Sequence, residues 1–277
     1  KRYSASDFPK SNWNLRKYLW VPMLGCFGIQ KLTFNRKASI LSGVGVGGGS
    51  LVYANTLFYP PDNFFKHDSW KNLGDWKKML SPFYDRAASM MGRTLYEKIN
   101  PEDRYLREIA REMDREDSFE NVFVGVYLSD NEEEKDPYFN GKGPLRKPCI
   151  ECAGCMVGCR ENAKNSLDKN YLYFAEKQGT EILAETRVVK IECDRNQYIV
   201  HARPSTRLFR RKIRKFRCRG LILAGGTLGT LELLLKQKHK YKTLTGLSDA
   251  LGSSLLTNSE TLCAVSRIPE KTNNGLA

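Results

Sequence analysis

A run of glycines constrains the fold of this chain more than any other feature. Five of the seven residues from Gly43 to Gly49 are glycine, in the sequence GVGVGGG, and the strand-like segment SLVYAN follows. Each glycine inside regular structure costs about 0.5–1 kcal/mol relative to alanine, because its backbone loses more freedom on folding. We therefore expect a large flat group or a phosphate to approach the main chain closely here.

The composition places the chain among folded globular proteins. It has 277 residues, of which 41% are hydrophobic and 11% aromatic, which suits one large domain or two ordinary ones. This composition excludes an intrinsically disordered chain. No apolar run approaches the roughly 20 residues of a membrane-spanning helix, and no signal-peptide pattern is visible. These features predict a cytoplasmic or peripheral membrane protein.

The order of the predicted elements indicates a mixed α/β fold, with residues 1–42 irregular. The predicted helices are residues 68–92 with a break near Pro82, residues 101–116 after a cap at Asn100, residues 166–177 and residues 227–238. The predicted strands are residues 121–129, 181–185, 186–193, 197–203 and 216–226. Periodicity and the positions of Pro and Gly determine these assignments.

A second glycine turn lies between a predicted strand and a predicted helix. The sequence LILAGGTLG contains Gly225, Gly226 and Gly229. Backbone N–H groups at the start of a helix favour a bound phosphate. The complete G-x-G-x-x-G fingerprint is absent, and a strand–helix junction without a ligand fits this pattern equally well.

A cysteine-rich segment, CIECAGCMVGC, forms a second motif. Cys149, Cys152, Cys155 and Cys159 follow the C-x2-C-x2-C-x3-C spacing of bacterial ferredoxins, although Arg160 stands where those proteins have proline. Three interpretations stay open: reduced structural thiols, an iron–sulfur or zinc site, and disulfides. In those ferredoxins the fourth cysteine serves another cluster, so a remote ligand would be needed. The candidates are Cys26, Cys193, Cys218 and Cys263.

The excess of positive charge is concentrated in one segment. The formal net charge is +14, and eight basic residues lie between Arg207 and Arg219. With Leu208, Phe209, Ile213 and Phe216 between them, these residues predict two short strands of a basic, solvent-facing meander. A solvated sheet edge and contact with anionic lipid headgroups both suit it. No known nucleic-acid-binding motif is present, so no nucleic-acid partner is expected.

The order of motifs resembles a known family. The segments GVGVGGGSLVYANTL, NAKNSLDKNYLYFAEKQG, TRVVKIE, LILAGGTLGTLELLLK and LGSSLLTNSE follow one another as in the glucose–methanol–choline (GMC) flavin oxidoreductases. YSASDFPKSNWNLRKYLWVP and LGCFGIQKL extend the resemblance, closest to the sterol-oxidising clade, over essentially the whole chain. It implies an incomplete FAD-binding domain, residues 1–65 and 161–277, with an interleaved substrate segment, residues 66–160.

The resemblance also implies the residues that contact FAD. Asn55 stands two residues beyond Tyr53, which occupies a position where the family often has asparagine. The glycine run lies beside the flavin, the Val188 backbone meets the adenine, and the second glycine turn lies near the phosphates. The implied cofactor-binding residues are Gly45, Gly47, Gly48, Gly49, Ser50, Asn55, Val188, Gly225 and Gly226.

The function implied by the resemblance is FAD-dependent oxidation of a secondary alcohol. The substrate is expected to be a 3β-hydroxysterol, and oxygen or another acceptor receives the electrons. The family's dinucleotide fingerprint and catalytic residues are expected outside this chain, so none is assigned within it and the fragment is expected to be inactive alone. His67, His201 and His239 are expected to be structural or solvated. The alternatives are a non-sterol alcohol dehydrogenase with a cysteine-ligated iron–sulfur cluster, and a basic non-catalytic binding protein.

Overall fold

A computed structural model of the chain describes residues 1–36, 38–207 and 212–255. These residues fall into two compact units, residues 1–182 and residues 183–255. Both units contain helices and strands, which confirms the mixed α/β class. The helices are α1 (Leu15–Tyr18), α2 (Asp62–Phe65), α3 (Trp76–Met90), α4 (Pro101–Glu112), α5 (Tyr171–Lys177) and α6 (Gly226–Leu235). The strands are β1 (Trp20–Val21), β2 (Cys26–Phe27), β3 (Gln30–Phe34), β4 (Ser39–Gly43), β5 (Thr94–Leu95), β6 (Phe123–Val124), β7 (Thr186–Asp194), β8 (Gln197–Pro204) and β9 (Arg214–Cys218).

Three antiparallel strand pairs lie in the first unit: β1 with β2, β3 with β4, and β5 with β6. The prediction that residues 1–42 are irregular was therefore wrong. Half of the residues of β3 and β4 are exposed, and exposed apolar residues such as Leu32 and Leu41 weaken the alternation that marks a strand. A small core of Tyr3, Ile29, Leu51 and Val52 packs beside them.

The glycine run leads from strand β4 into a tight turn. β4 ends at Gly43, and a 3-10 turn occupies Gly48–Leu51. The strand-like segment predicted after Gly49 is not formed. Gly45 and Gly47 have φ angles of 140° and 109°, so β4 does not continue into the glycine run, and the 3-10 turn occupies the residues where the predicted segment begins. The turn instead directs the buried Leu51 into the core.

The helices of the first unit differ from prediction in two places. α3 continues through Pro82 without the predicted break, because the missing N–H group removes only one of its hydrogen bonds. The helix predicted over residues 166–177 is divided. A 3-10 turn forms at Leu167–Lys169, and Asn170, whose backbone is not helical, precedes α5. The helix predicted after Asn100 is confirmed as α4, with Asp103 accepting a hydrogen bond from the Asn100 N–H at 2.8 Å.

The strand predicted over residues 121–129 is shorter than expected. Only Phe123–Val124 forms β6, and Val126 makes an isolated bridge with Lys164. A side chain at Gly125 would come within 2.4 Å of the Tyr53 hydroxyl. The segment therefore packs closely against Tyr53 at Gly125, and only two of its residues pair in a strand.

The second unit contains a three-stranded antiparallel sheet in the order β7-β8-β9. The strands predicted over residues 186–193 and 197–203 are confirmed as β7 and β8. Residues 181–185 form no strand, and the strand predicted over residues 216–226 ends at Cys218. Residues 221–224 have no partner strand among the described residues, so they form no ladder, and Ile222 is 90% exposed. Residues 208–211 of the predicted basic meander lie outside the described residues.

The helix predicted over residues 227–238 is confirmed as α6, and a π-helical segment, Lys236–Tyr241, continues it. Gln237 in this segment is fully buried. Its Oε1 atom accepts a hydrogen bond from the backbone N–H of Ile191 at 2.9 Å. This bond attaches the end of the helix to the central part of β7.

Candidate functional site

The glycine run has one face packed against the protein and one open face. A Cβ atom on Gly45 would lie 2.5 Å from the Tyr3 ring, and one on Gly47 would lie 3.1 Å from Leu51. A Cβ atom on Gly48 or Gly49 would meet nothing within 4 Å. The missing side chain of Gly45 thus makes room for Tyr3. The open positions that a flat ligand could cover are Gly48 and Gly49.

Ser50 joins the glycine turn to the segment before α5. Its hydroxyl donates to the carbonyl oxygen of Gly47 at 2.7 Å and accepts from the backbone N–H of Leu167 at 2.9 Å. Both hydrogen-bonding roles of this hydroxyl are used inside the first unit. Ser50 therefore fixes the shape of the turn, and its predicted contact with FAD stays a prediction.

Asn55 lies close to the cysteine segment. Its φ angle is 65°, a left-handed value that asparagine tolerates better than most residues. Its Nδ2 atom donates to the sulfur of Cys155 at 3.1 Å, while its buried Oδ1 atom has no hydrogen-bond partner among the described residues. A buried acceptor without a partner is costly. The Oδ1 atom is thus a buried acceptor without a donor, on a residue that lines a cavity together with Cys155.

The other three residues predicted to contact FAD lie in the second unit. Val188 is on β7 at a bulge, where it pairs with Ala202 before the register shifts. Gly225 is the N-terminal cap residue of α6, and its N–H donates to the Thr230 hydroxyl at 3.1 Å. Gly226 has a φ angle of 69° and open space at its Cβ position. Gly225 has no side chain that could accept hydrogen bonds from the first N–H groups of α6. These N–H groups are therefore suited to bind an anion.

The four cysteines predicted as metal ligands line a single cavity of the first unit. This cavity has a volume of about 490 Å³, and Cys149, Cys152, Cys155, Cys159 and Asn55 all contribute to its wall. All four cysteines are free thiols of intermediate burial. Burial raises the pKa of the Cys149 thiol to about 11 and also raises the pKa of Cys155.

The four thiols do not converge on a single point. Among the described residues, no three His, Cys, Asp or Glu side chains are placed to hold one metal ion. A zinc site requires four ligands, with each Zn–S distance about 2.3 Å. The zinc alternative is therefore not formed by these cysteines, and the disulfide alternative is not formed by the free thiols.

Two buried cations beside the cysteines were missed by the sequence analysis. Lys164 is 2% exposed, and its ammonium group donates to the carbonyl oxygens of Leu51, Tyr53 and Cys155 at 2.8, 3.1 and 2.7 Å. Burial lowers the pKa of Lys164 to about 8. Its ammonium therefore connects the glycine turn to the cysteine segment.

Arg146 is the second buried cation and is 1% exposed. Its guanidinium donates to the carbonyl oxygens of Asn162 and Ala163 at 2.7 and 3.0 Å, and also to that of Lys164. It thus holds the turn that follows the cysteines. Lysine and arginine are rarely this buried, and the only available signal was their place in the sequence, Arg146 just before Cys149 and Lys164 just after Cys159.

None of the three histidines is among the residues that line the cysteine cavity. His67 stacks against Trp70, and His239 is exposed in the π-helical segment. His201 is buried on β8 and hydrogen-bonded to Glu192 at 2.6 Å. The structural role expected for these residues stays a prediction. No helix among the described residues is both long and apolar enough to cross a membrane.

Comparison with known proteins gives one consistent result. The family model for GMC oxidoreductases matches residues 146–238. A cholesterol oxidase of Mycobacterium tuberculosis (strain ATCC 25618 / H37Rv) is 42% identical over 270 residues, which cover 95% of this chain and 46% of that protein. A cholesterol oxidase of Acinetobacter baumannii is 38% identical over 276 residues, covering 96% of this chain and 50% of that protein.

The chain thus spans about half the length of the curated relatives it matches. The matched family region includes the cysteine segment from Cys149, the sheet β7-β8-β9 and α6. The resemblance deduced from the motifs is confirmed by both kinds of comparison. By both kinds of comparison the chain is similar to GMC oxidoreductases.

Proposed function

We propose that the protein containing this chain is an FAD-dependent oxidoreductase that converts the secondary alcohol of a 3β-hydroxysterol into a ketone. The observation that carries the proposal is the 42% and 38% identity to cholesterol oxidases over nearly the whole chain. Because the chain has about half the length of those proteins, turnover is assigned to the longer protein. The proposed acceptor of the electrons is oxygen or another oxidant.

The first unit is proposed to contact the flavin through its glycine turn. Open space at Gly48 and Gly49 supports a close approach of a flat ring to the backbone. The unpartnered Oδ1 atom of Asn55 supports a hydrogen bond from a ligand N–H. Gly45, Gly47 and Ser50 are assigned contacts with the flavin through their backbone only. The Cβ positions of the two glycines face Tyr3 and Leu51, and the Ser50 hydroxyl is hydrogen-bonded to the Gly47 carbonyl oxygen.

The second unit is proposed to hold the adenine and phosphate parts of FAD. Val188 lies at a bulge, where the extra residue disturbs the pairing of the backbone. Gly225 and Gly226 begin α6, and a helix N-terminus favours the negative charge of a pyrophosphate. The proposed domain division assigns residues 1–65 and 161–277 to FAD and residues 66–160 to the substrate.

The chemistry divides between the cofactor and the protein. Bound FAD supplies the acceptor for the hydride that leaves the alcohol carbon. The residues of this chain bind and orient the cofactor, and the glycine turn excludes side chains from its surface. A basic surface on β9 and its two flanking segments, with Lys212, Lys215 and Arg219 exposed, supports peripheral contact with an anionic membrane from which a sterol is taken.

The test uses the full-length product of the gene. The purified protein is expected to show the visible absorbance of flavin, and this absorbance is expected to bleach when cholesterol is added without oxygen. Bleaching by other secondary alcohols and not by cholesterol would support alcohol oxidation and would contradict a sterol as the substrate. A correctly folded protein without flavin, which FAD does not reconstitute, would contradict the proposal.

A further inference from the structure

The cysteine segment carries an inference beyond the flavin proposal. Cys149, Cys152, Cys155 and Cys159 line the same cavity, whose volume of about 490 Å³ exceeds what a single ion needs. The arrangement is thus a shared pocket of thiols, wider than the ligand sphere of one ion.

Backbone and side-chain N–H groups point at the sulfur atoms. Cys159 accepts from the N–H groups of Ala163 and Lys164 at 3.2 and 3.3 Å. Cys149 accepts from the N–H of Glu151 at 3.4 Å, and Cys155 accepts from Asn55 at 3.1 Å. A neutral thiol is a weak acceptor. Four donors on three sulfurs therefore suit ligating thiolates, whose cluster potential such bonds tune.

The loop adopts a backbone that makes these donors available. Glu151 and Ala153, which lie between the cysteines, have φ angles of 54° and 53°. Left-handed residues of this kind are costly outside glycine, by about 1–3 kcal/mol each. Left-handed residues take part in the concave anion-binding turns found at many iron–sulfur sites, and the N–H of Glu151 donates to the sulfur of Cys149. The strained backbone at these two residues therefore suits a loop that binds an anionic cluster.

Buried positive charge lies next to the cavity. Neither Lys164 nor Arg146 makes an ion pair with a carboxylate of the described residues, and their hydrogen bonds go to carbonyl and amide oxygens. Asp168 acts on both only at longer range and is paired with Lys169 at 3.0 Å. Buried cations without counter-ions cost several kcal/mol. A cluster bound by four thiolates carries net negative charge and would compensate them.

We propose that Cys149, Cys152, Cys155 and Cys159 hold an iron–sulfur cluster in this cavity. In a [4Fe–4S] cluster each cysteine binds a different iron atom, so the sulfurs stand farther apart than around one ion. This explains why the thiols share a pocket without converging. The sequence alone predicts a remote fourth ligand, as in bacterial ferredoxins, whereas the four cysteines of this segment line one cavity and are proposed to supply all four ligands. The proposal does not rest on the flavin or on the alcohol.

The experiment measures iron and acid-labile sulfide in full-length protein purified without oxygen. Equal amounts of iron and sulfide are expected, as purified or after incubation with ferrous iron and sulfide. Chemical analysis is used because flavin absorbance would mask the visible spectrum of a cluster. In Cys155→Ser both are expected to fall by at least about tenfold, since even outer-shell changes cost this much at metal sites.

The matched control is Cys193→Ser, which changes an exposed cysteine on β7 and is expected to retain both iron and sulfide. Circular dichroism verifies that each variant is folded. Folded protein that takes up no iron and sulfide would overturn the proposal. So would equal iron in Cys155→Ser and the unsubstituted protein, or zinc bound in place of iron without sulfide.

A second variant tests the N–H donors. Asn55→Asp keeps the shape of the side chain and removes the donor to Cys155. The reduction potential of the cluster, followed by electron paramagnetic resonance, is expected to become more negative, because the lost donor stabilised the charge on sulfur. An unchanged potential would contradict the placement of the cluster next to Cys155.

Discussion

The ammonium group of Lys164 lies 2.7 Å from the carbonyl oxygen of Cys155 and 2.8 Å from that of Leu51. One buried side chain thus joins the end of the glycine turn to the cysteine segment. The two motifs that stand out in the sequence, about a hundred residues apart, share a single polar junction. The shape of the proposed flavin-binding turn therefore depends on the residues around the cysteines.

Removing the ammonium group of Lys164 is expected to destabilise the first unit. Lys164→Met leaves the carbonyl oxygens of Leu51, Tyr53 and Cys155 buried without their donor. The free energy of unfolding is expected to fall by about 3 kcal/mol in urea titrations. Lys66→Met, at an exposed lysine, is the control and is expected to change it by less than about 0.5 kcal/mol. Equal stability of the two variants would mean that other donors satisfy these carbonyls.

The two faces of the glycine run are expected to respond differently to alanine. At Gly45 the φ angle is 140° and the new Cβ would lie 2.5 Å from the Tyr3 ring. Gly45→Ala is therefore expected to cost about 2–4 kcal/mol of stability. At Gly49 the space is open, so Gly49→Ala is expected to change stability by less than about 0.5 kcal/mol.

A larger side chain at Gly49 is expected to affect FAD binding more than stability. Gly49→Val puts a branched side chain into the space assigned to the flavin, and FAD affinity in a fluorescence titration is expected to fall at least about tenfold. Its unfolding transition is expected to stay close to that of the unsubstituted protein. Unchanged FAD affinity would place the flavin elsewhere.

The sheet of the second unit is expected to lose stability in acid. Hydrogen bonds from Lys190 and His201 lower the pKa of Glu192 from its ordinary 4.5 to about 2. A lowered carboxyl pKa stabilises the folded state above about pH 4.5, and this contribution is lost as the pH falls toward 2. Glu192→Gln is therefore expected to flatten the dependence of unfolding free energy on pH in this range.

Chemical denaturation at several pH values measures this slope. The carboxyl of Glu116, whose pKa is lowered to about 2 by Arg111 and Arg107, still titrates in the variant, so the slope decreases without vanishing. Glu132→Gln, at an exposed loop residue, is the control and is expected to keep the original slope. An identical slope in the Glu192 and Glu132 variants would contradict the assignment.

Vesicle binding tests the basic surface. Lys212, Lys215 and Arg219 are exposed, and each basic residue near an anionic membrane contributes about 1 kcal/mol. Replacing all three with glutamine is expected to weaken binding to phosphatidylserine-rich vesicles by about 100-fold in sedimentation. Vesicles of phosphatidylcholine alone are the control. If the triple variant sediments like the unsubstituted protein, membrane contact does not use this surface.

The elements with local sequence signals were predictable. Asn100 and Pro101 mark the start of α4, and the strands β7 and β8 are joined by a short polar turn. The strands within residues 1–42 were missed because exposed short hairpins alternate weakly. Residues 221–224 look like a strand but have no partner among the described residues.

The candidate site was predictable only in part. The glycine and cysteine motifs are visible in the sequence, and the shared cavity of the cysteines is consistent with their spacing. The burial of Lys164 and Arg146 was not predictable, because these residue types are normally exposed. Nor does the sequence reveal that Tyr3 fills the space beside Gly45. Tertiary packing determines both features.

The most direct test of the account is an anaerobic titration of the purified full-length protein with cholesterol, followed by flavin absorbance. The protein is expected to contain FAD, cholesterol is expected to bleach the flavin absorbance, and admitting oxygen or another oxidant is expected to restore it. Bound FAD that neither cholesterol nor any related 3β-hydroxysterol reduces would contradict sterol oxidation as the function of this protein.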